Sequence, residues 1–220
     1  MLKKLFPRQK ILTFLFEVLV IFSGITLSFV FDKWKQNRDN EEKQAFYLQS
    51  IQEDLADDIK ELENDIKVYE KSVKALVFYT QYNAEKNAHP DSLVYYYEYL
   101  YRSGNVFINT AGFDALKSTG SMTIITDRGI LKQIIKVYQN DFPKISYWNN
   151  QFTELKRTIV LPYFTKREIF LKGGVGNFSK LYQEAEFYNI LYTVLNYNRI
   201  ILGTYKPTLE NCRQLHQKIG

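Results

Sequence analysis

The feature that most constrains this chain is an apolar run from Ile11 to Phe31 that contains a single charged residue, Glu17. A helix of about 21 residues, rising 1.5 Å per residue, reaches roughly 30 Å, which is the thickness of the hydrocarbon core of a bilayer. The run therefore predicts a membrane-spanning helix. It is longer than the apolar region of a cleaved signal peptide and no small-residue cleavage site follows it, so we expect an uncleaved anchor.

The flanks of this run indicate its orientation in the membrane. Lysine and arginine are equal in number on its two sides, but acidic residues are mixed in only on the C-terminal side. The basic residues are Lys3, Lys4, Arg8 and Lys10 before the run, and Lys33, Lys35, Arg38 and Lys43 after it. An undiluted positive tail is costly to translocate, whereas a long domain is not, so we expect a cytoplasmic N-terminus. This divides the chain into a cytoplasmic basic tail (1–10), a transmembrane helix (11–31) and an extracytoplasmic helical domain (32–220).

The net charge of +5 and the isoelectric point near 9.0 come mostly from the basic tail. Four of the 29 basic residues precede Ile11 and all 24 acidic residues follow it, so the rest of the chain carries a charge of +1. A nucleic-acid-binding domain needs a basic stripe in its folded part, and no such stripe is visible in the sequence. We therefore expect no nucleic-acid partner.

Helical periodicity dominates the chain beyond the membrane segment, which predicts an all-α fold: the transmembrane helix continues into a long amphipathic helix, and a kinked helical bundle follows. Apolar residues recur at 3-4 spacing at Leu48, Ile51, Leu55, Ile59, Leu62, Ile66, Tyr69, Val73 and Leu76. Charged residues, expected on a solvated face, fill other positions: Glu53, Asp54, Asp57, Asp58, Lys60, Glu61, Glu63 and Lys67. The apolar stripe fits either packing within its own domain or a parallel coiled coil between subunits, and one seam does not distinguish the two.

The sequence His89-Pro90-Asp91 breaks this helix. The segment that follows is rich in tyrosine: Tyr95, Tyr96, Tyr97, Tyr99 and Tyr101. So many rings cannot all face one core from a short helix. They fit either an amphipathic helix whose phenol groups reach water or an aromatic contact patch for a partner, since tyrosine is enriched at interfaces.

Short local signals mark helix ends in the second half of the chain. Asn109 or Thr110 can cap a short helix, and Gly120 suits the left-handed position that ends it. Asp127 is the expected cap of the next helix, which Pro143 ends or kinks. Apolar residues with helical spacing follow Asp127 as far as Pro162: Ile130, Leu131, Ile134, Ile135, Tyr138, Phe142, Ile145, Trp148, Phe152, Leu155 and Ile159.

The last helix is expected to begin near Ser179 and to be bent or split by Pro207. Its apolar positions are Phe187, Leu191, Leu195, Leu202, Leu209, Cys212 and Leu215. The glycine-rich stretch 172–177 lacks the Gly-Lys-Ser/Thr sequence of a phosphate-binding loop, and no strand precedes it. It therefore predicts a loop between helices.

The sequence carries no recognisable catalytic or metal-binding constellation. Its two histidines, His89 and His216, have no helical partner at metal-ligand spacing. The pair Cys212 and His216 shares one helix face, but on an apolar stripe near a helix end. The chain is therefore expected not to be an enzyme and to need no cofactor or metal.

Glu17 is the one residue with a functional interpretation, because ionisable groups inside membrane helices are rare and costly. At 100° per residue, Thr13, Glu17, Gly24 and Ser28 fall within an arc of about 60°. Gly24 and Ser28 form a small-xxx-small pair that allows another helix to approach closely. The stripe fits a contact with protein, although a Glu17 that is protonated or that reaches the interface is the alternative. Trp34, just outside the run, is the expected interfacial anchor.

Some of these motifs together resemble a family of short bacterial membrane proteins. They are the anchor with Glu17 and Gly24, Trp34 just outside it, the phrase Phe113-Asp114-Ala115-Leu116-Lys117-Ser118-Thr119-Gly120, and Ile125-Thr126-Asp127 at a helix start. The chain is similar in these respects to single-pass, helix-rich proteins of Bacteroidetes that form a domain-of-unknown-function family. The resemblance implies a helical protein anchored in the inner membrane, with its main domain in the periplasm. It implies no activity.

The expected function is that of a membrane-anchored accessory or scaffold subunit of a cell-envelope complex, acting through protein–protein contacts. Its partners would be the lipid bilayer and other membrane or envelope proteins, or further copies of the chain in a homo-oligomer. The alternative is an extracytoplasmic sensory or ligand-binding helical bundle.

Overall fold

A computed structural model describes residues 8–81, 98–100, 102, 104, 107–167 and 181–220. Every regular element in these ranges is helical, which confirms the all-α prediction. The α-helices are α1 (Arg8–Gln81), α2 (Ala111–Ser118), α3 (Arg128–Lys136), α4 (Phe142–Leu155), α5 (Leu161–Lys166) and α6 (Ala185–Ile219). Short 3₁₀ turns span Glu98–Leu100 and Ser121–Ile124.

The chain forms two compact units, Met1–Phe46 and Tyr47–Gly220. In the first unit every side chain from Ile11 to Asp39 is exposed. Its helix is long and apolar enough to cross a membrane. In the second unit the remaining helices pack around one hydrophobic core.

The apolar seam of α1 packs into the chain's own core. Fully buried seam residues are Ile51, Leu55, Leu62, Tyr69, Leu76 and Tyr79, and Leu48, Ile59 and Val73 pack partly buried against them. Of the two interpretations of this seam, the structure supports packing within the domain. A helix whose seam is already covered by its own chain has no such face left for a subunit coiled coil.

Residues 128–166 form a continuous helical run in which two π turns separate α3, α4 and α5. The turns span Val137–Asp141 and Lys156–Val160, and each ends just before a proline, Pro143 or Pro162. Proline removes an amide donor and its ring crowds the carbonyl four residues earlier. The amide of the residue that follows each π turn, Phe142 or Leu161, bonds five residues back, so the helical run accommodates the proline and continues.

The second π turn corrects one prediction about the core. The 3-4 spacing predicted Ile159 as the next buried residue after Leu155, but Ile159 is 49% exposed and Val160 is 1% exposed. A π turn inserts one extra residue into the helix. The core-facing position therefore moves along by one residue, from Ile159 to Val160.

The C-terminal helix α6 begins at Ala185, later than the predicted start near Ser179, which lies outside the described residues. Pro207 does not split α6. Arg167, just after α5, pairs with Glu184 and Glu186 at the start of α6, at 2.6 and 3.1 Å. Further along, α6 is joined to α1 by the ion pairs Lys206–Glu70 and Arg213–Glu63, both 2.7 Å.

The shifted register gives a direct test of the fold. We predict that Val160→Asp lowers the free energy of unfolding by about 3 kcal/mol or more, because it places an unpaired charge in the core. Ile159→Asp, one residue earlier, should change it by less than about 1 kcal/mol. Thermal and denaturant melts of the full chain, followed by circular dichroism, measure both. Equal losses in the two variants would contradict the π turn.

Candidate functional site

The polar stripe of the first unit lies on the exposed surface of α1. All four of its residues, Thr13, Glu17, Gly24 and Ser28, are exposed. Apart from its chain neighbours and the local backbone of its own helix, no described atom lies within 4 Å of the Cβ position that a side chain at Gly24 would add. The surface around Gly24 is therefore open to the close approach of another helix.

Two side chains of the stripe, Glu17 and Ser28, have polar oxygens that the described part of the chain does not satisfy. Glu17 forms no ion pair and Ser28 forms no side-chain hydrogen bond with the described residues. Thr26, on the opposite face, differs, because its hydroxyl donates to the Phe22 carbonyl at 2.8 Å. A hydroxyl bonded to its own helix is suited to face lipid, whereas an unpaired carboxyl in hydrocarbon is costly.

Trp34 has the surroundings of an interfacial aromatic residue. Its ring centroid lies 5.8 Å from that of Phe31, and the Arg38 guanidinium lies 5.4 Å from the ring. Arg38 also reaches Glu42 at 3.9 Å. The residues just after the apolar run thus change from hydrocarbon to aromatic to charged groups, as at a membrane surface.

A second polar feature, in the folded unit, is a row of four acidic residues on α1: Asp54, Asp58, Glu61 and Asp65. We call it the acidic ladder. Three of its carboxylates accept backbone amides from one segment: Asp54 from Gly112 at 2.7 Å, Asp58 from Asn109 at 2.9 Å, and Glu61 from Phe107 at 3.1 Å. The chain segment therefore runs antiparallel to α1, with its amides fixed by carboxylates.

The ladder continues at Asp65, whose carboxylate lies against Gly104. The Gly104 carbonyl in turn accepts a hydrogen bond from the buried Tyr69 hydroxyl at 3.3 Å. Further into the core, the Asn149 amide donates to the Tyr205 hydroxyl at 2.7 Å. Buried polar groups of α1, α4 and α6 thus meet in one region, where burial raises the pKa of both tyrosines.

Asp54 acts as an N-terminal cap supplied by another helix. Gly112 lies in the first turn of α2, where amides have no partner within the helix. Asn109 supplies a second acceptor, since its side chain receives the Ala111 amide at 3.1 Å. A Cβ at Gly112 would lie 2.9 Å from the Ile51 backbone nitrogen, so only glycine allows this approach.

Asp58 is the most constrained member of the ladder. Its side chain is 1% exposed, and its Oδ2 has no hydrogen-bond partner among the described residues. Burial, opposed by the Asn109 amide and reinforced by the charges of Asp54 and Glu61, raises its pKa from 3.8 to about 7. The Asp58 carboxyl therefore keeps its proton to a much higher pH than an ordinary aspartate does.

The structure corrects the prediction that Asp54 and Asp58 lie on a solvated face, since both are buried. Helical spacing places the four ladder residues in an arc of about 60° beside the apolar seam. Lys60 and Lys67, by contrast, fall on the far side of the helix. The sequence did contain a signal for the ladder, because four acidic residues share one arc of the helix and no lysine or arginine lies among them.

Of the tyrosine-rich segment, the structure describes Tyr99. Its side chain is 8% exposed, with the Arg102 guanidinium 5.9 Å from the ring. Tyr99 is therefore buried within the described part of the chain. Tyr95, Tyr96, Tyr97 and Tyr101 lie outside the described residues.

The other residues considered for catalysis or metal binding do not form a site within the described part of the chain. Cys212 is fully buried, and burial raises the pKa of its thiol, which keeps it protonated. His216 lies one turn later on α6, and its carbonyl accepts a weak bond from Gln52 at 3.4 Å. The described residues contain no group of three or more potential metal ligands. His89 and the stretch 172–177 lie outside the described residues.

The comparisons with known proteins add no relative. No protein-family model matches this chain, and no curated protein or solved structure is similar to it.

The space around Gly112 and Gly203 predicts opposite effects for an alanine at these two positions. Gly112→Ala should destabilise the chain by about 1–3 kcal/mol, because the new methyl group contacts the α1 backbone. Gly203→Ala, the matched control, has no atom within 4 Å of its added Cβ and should stabilise α6 by up to about 1 kcal/mol. Denaturant unfolding measures both, and a neutral Gly112→Ala would contradict the close packing of α2 on α1.

The burial of Asp58 predicts a pH dependence of stability. The folded state holds a proton on Asp58 up to about pH 7, whereas the unfolded state loses it near 3.8. Its contribution to stability is therefore complete below pH 3.8 and is lost as the pH rises through 7. Asp58→Asn keeps the acceptor for the Asn109 amide and removes the titration.

Melting temperatures at pH 5 and pH 8 test this dependence. Relative to wild type, Asp58→Asn should be more stable at pH 8 than at pH 5. Asp57→Asn, the neighbouring substitution on an exposed residue, should show the same difference from wild type at both values. A constant difference for Asp58→Asn would show that Asp58 is ionised throughout this range.

Proposed function

We propose that this protein is a membrane-anchored helical scaffold or accessory subunit of a cell-envelope complex. The membrane helix of residues 11–31 makes the contacts within the bilayer, and the bundle of the second unit is held outside it. The partner is another membrane protein or a second copy of the chain. The protein acts by binding and positioning rather than by catalysing a reaction.

The observation that carries the proposal is Glu17 without a partner from the described residues. A membrane helix composed mostly of Phe, Leu, Ile and Val gains nothing from a carboxyl group in lipid. The group lies about six residues into the run, roughly 10 Å from its start. A polar or cationic group on a neighbouring helix would satisfy it, and Gly24 and Ser28 on the same face would allow that helix to approach.

The surrounding features support the same assignment. Trp34 and Arg38 suit a membrane interface at the C-terminal end of the run. The seam of α1 is covered by the chain's own core, whereas the side chains of the membrane helix are exposed. We further propose a bacterial inner membrane location, a cytoplasmic N-terminus and a periplasmic bundle, on the basis of the basic tail and the family resemblance.

Three substitutions test the proposed contact. Gly24→Leu should prevent close helix approach and reduce assembly by about tenfold or more, since leucine fills the space that the partner backbone requires. Glu17→Gln keeps the shape and removes the charge. It should reduce assembly if Glu17 pairs with a cation and leave assembly unchanged if Glu17 only accepts hydrogen bonds. Assembly is measured by native size in mild detergent and by identification of co-purified chains.

The control is Leu19→Phe on the opposite face, which should leave assembly at the wild-type level. All variants should retain the helical circular dichroism of the wild type, because each substitution replaces an exposed residue of the first unit. If Gly24→Leu assembles as the wild type does, the stripe faces lipid and the subunit proposal fails.

A further inference from the structure

A cationic cleft lies between α3 and the C-terminal turns of α6. Its volume is about 610 Å³, which is in the range of small-molecule sites. Three lysines line it: Lys132 and Lys136 from α3 and Lys218 from α6. Its other lining residues are neutral, and most are amides: Gln133, Asn140, Asn211 and Gln214 among them.

Two of these lysines are positioned by bonds that cross the cleft. The Lys136 ammonium on α3 donates to Asn211 Oδ1 on α6 at 3.0 Å. In the opposite direction, the Lys218 ammonium on α6 donates to Gln133 Oε1 on α3 at 2.8 Å. The acceptors are neutral amides, so both ammonium groups keep their full charge and most of their donors.

The amides that hold the lysines are themselves fixed. The Asn211 amide donates to Asp141 Oδ2 at 2.8 Å, and Asp141 is buried at 8% exposure. This bond orients Asn211 so that its oxygen faces Lys136. The Gln133 amide donates to the Asn211 carbonyl at 3.2 Å, which leaves its oxygen for Lys218. Both lysines therefore rest on a supported amide framework.

The lysines of the cleft differ from two other basic residues of α6, since Lys206 pairs with Glu70 and Arg213 pairs with Glu63. None of the three cleft lysines forms an ion pair with a described residue. The nearest exposed acid on α6, Glu210, is engaged by the Gln214 amide at 2.9 Å. Three like charges in one cleft repel one another, and an anion would relieve that repulsion.

We propose that this cleft binds a multivalent phosphate-type anion. Lysine ammonium groups bind phosphate as point charges, and three of them with neighbouring amide donors match a group with several charged oxygens. The anion comes either from a free phosphate compound or from the headgroup of an acidic lipid. Anion binding in the cleft does not require assembly through the membrane helix. Either proposal can therefore fail in its own test while the other holds.

Lysine footprinting on the wild-type full chain tests the proposal without a variant. The chain in neutral detergent is acetylated with an amine-reactive ester, with and without inorganic tripolyphosphate, and the acetylation of each lysine is measured by mass spectrometry. We expect tripolyphosphate to slow acetylation of Lys132, Lys136 and Lys218 by about tenfold. The exposed reference lysines are Lys71, Lys74 and Lys144, and their rates should not change.

The same footprint in nanodiscs separates the two sources of the anion. Protection of the cleft lysines in discs containing phosphatidylglycerol, but not in pure phosphatidylcholine, assigns the site to a lipid headgroup. Protection only on addition of tripolyphosphate assigns it to a free anion. Equal protection of all six lysines, or of none, overturns the proposal.

A pair of charge-matched variants gives the affinity. Lys132, Lys136 and Lys218 are changed together to Gln in one variant, and Lys71, Lys74 and Lys144 in the other. Because each variant loses three charges, only a specific site distinguishes them. Calorimetric titration with tripolyphosphate should show binding at least about tenfold weaker in the cleft variant and unchanged in the control. Equal weakening of tripolyphosphate binding in the two variants would show that the anion responds only to net charge, which would contradict a specific site in the cleft.

Discussion

The folded unit depends on covering one face of α1. Its seam from Ile51 to Tyr79 is apolar and lies along a single helix, which cannot bury that face by itself. The helical run of α3 to α5 and the long helix α6 provide the cover, and their apolar faces meet the seam in one core. Burial of so many Leu, Ile, Phe and Tyr side chains is the main favourable term for such a fold.

The edge of that seam shows how buried charge is tolerated. The ladder carboxylates would be costly at low exposure without partners, and backbone amides of the segment before and at the start of α2 supply them. The same contacts determine where that segment runs, because three of the ladder carboxylates, Asp54, Asp58 and Glu61, each bind one of its backbone amides in turn. The Oδ2 atom of Asp58 has no hydrogen-bond partner among the described residues, and burial raises the pKa of this carboxyl to about 7.

Local sequence signals predicted the parts of the fold that local physics determines. Gly120 adopts the left-handed conformation with φ of 66°, and Asp127 caps α3 by accepting the amides of Gly129 and Ile130. The apolar positions of α6 are buried except Leu202, which is partly exposed. These features depend on a few adjacent residues and on the period of one helix.

Features that depend on distant contacts could not be predicted in this way. Pro143 was expected to end or kink a helix, but the helical run continues past it, and the second π turn moves the buried position to Val160. The burial of Asp54 and Asp58 depends on a segment about fifty residues away, which periodicity within α1 does not reveal. The cationic cleft likewise joins α3 to the end of α6, so its charge is dispersed in the sequence. The polar stripe of the membrane helix, in contrast, was predicted from spacing alone, and its contact with protein stays a prediction.

The most direct test of the account is a photo-cross-linking scan of the membrane helix in native membranes. A photoreactive residue is placed in turn at each position from 12 to 30, and protein adducts are quantified. The account predicts adducts that recur with a helical period of about 3.6 residues and peak at Thr13, Glu17, Gly24 and Ser28. Uniformly low adducts, or a maximum on the face of Leu19 and Thr26, would contradict a protein contact along the polar stripe.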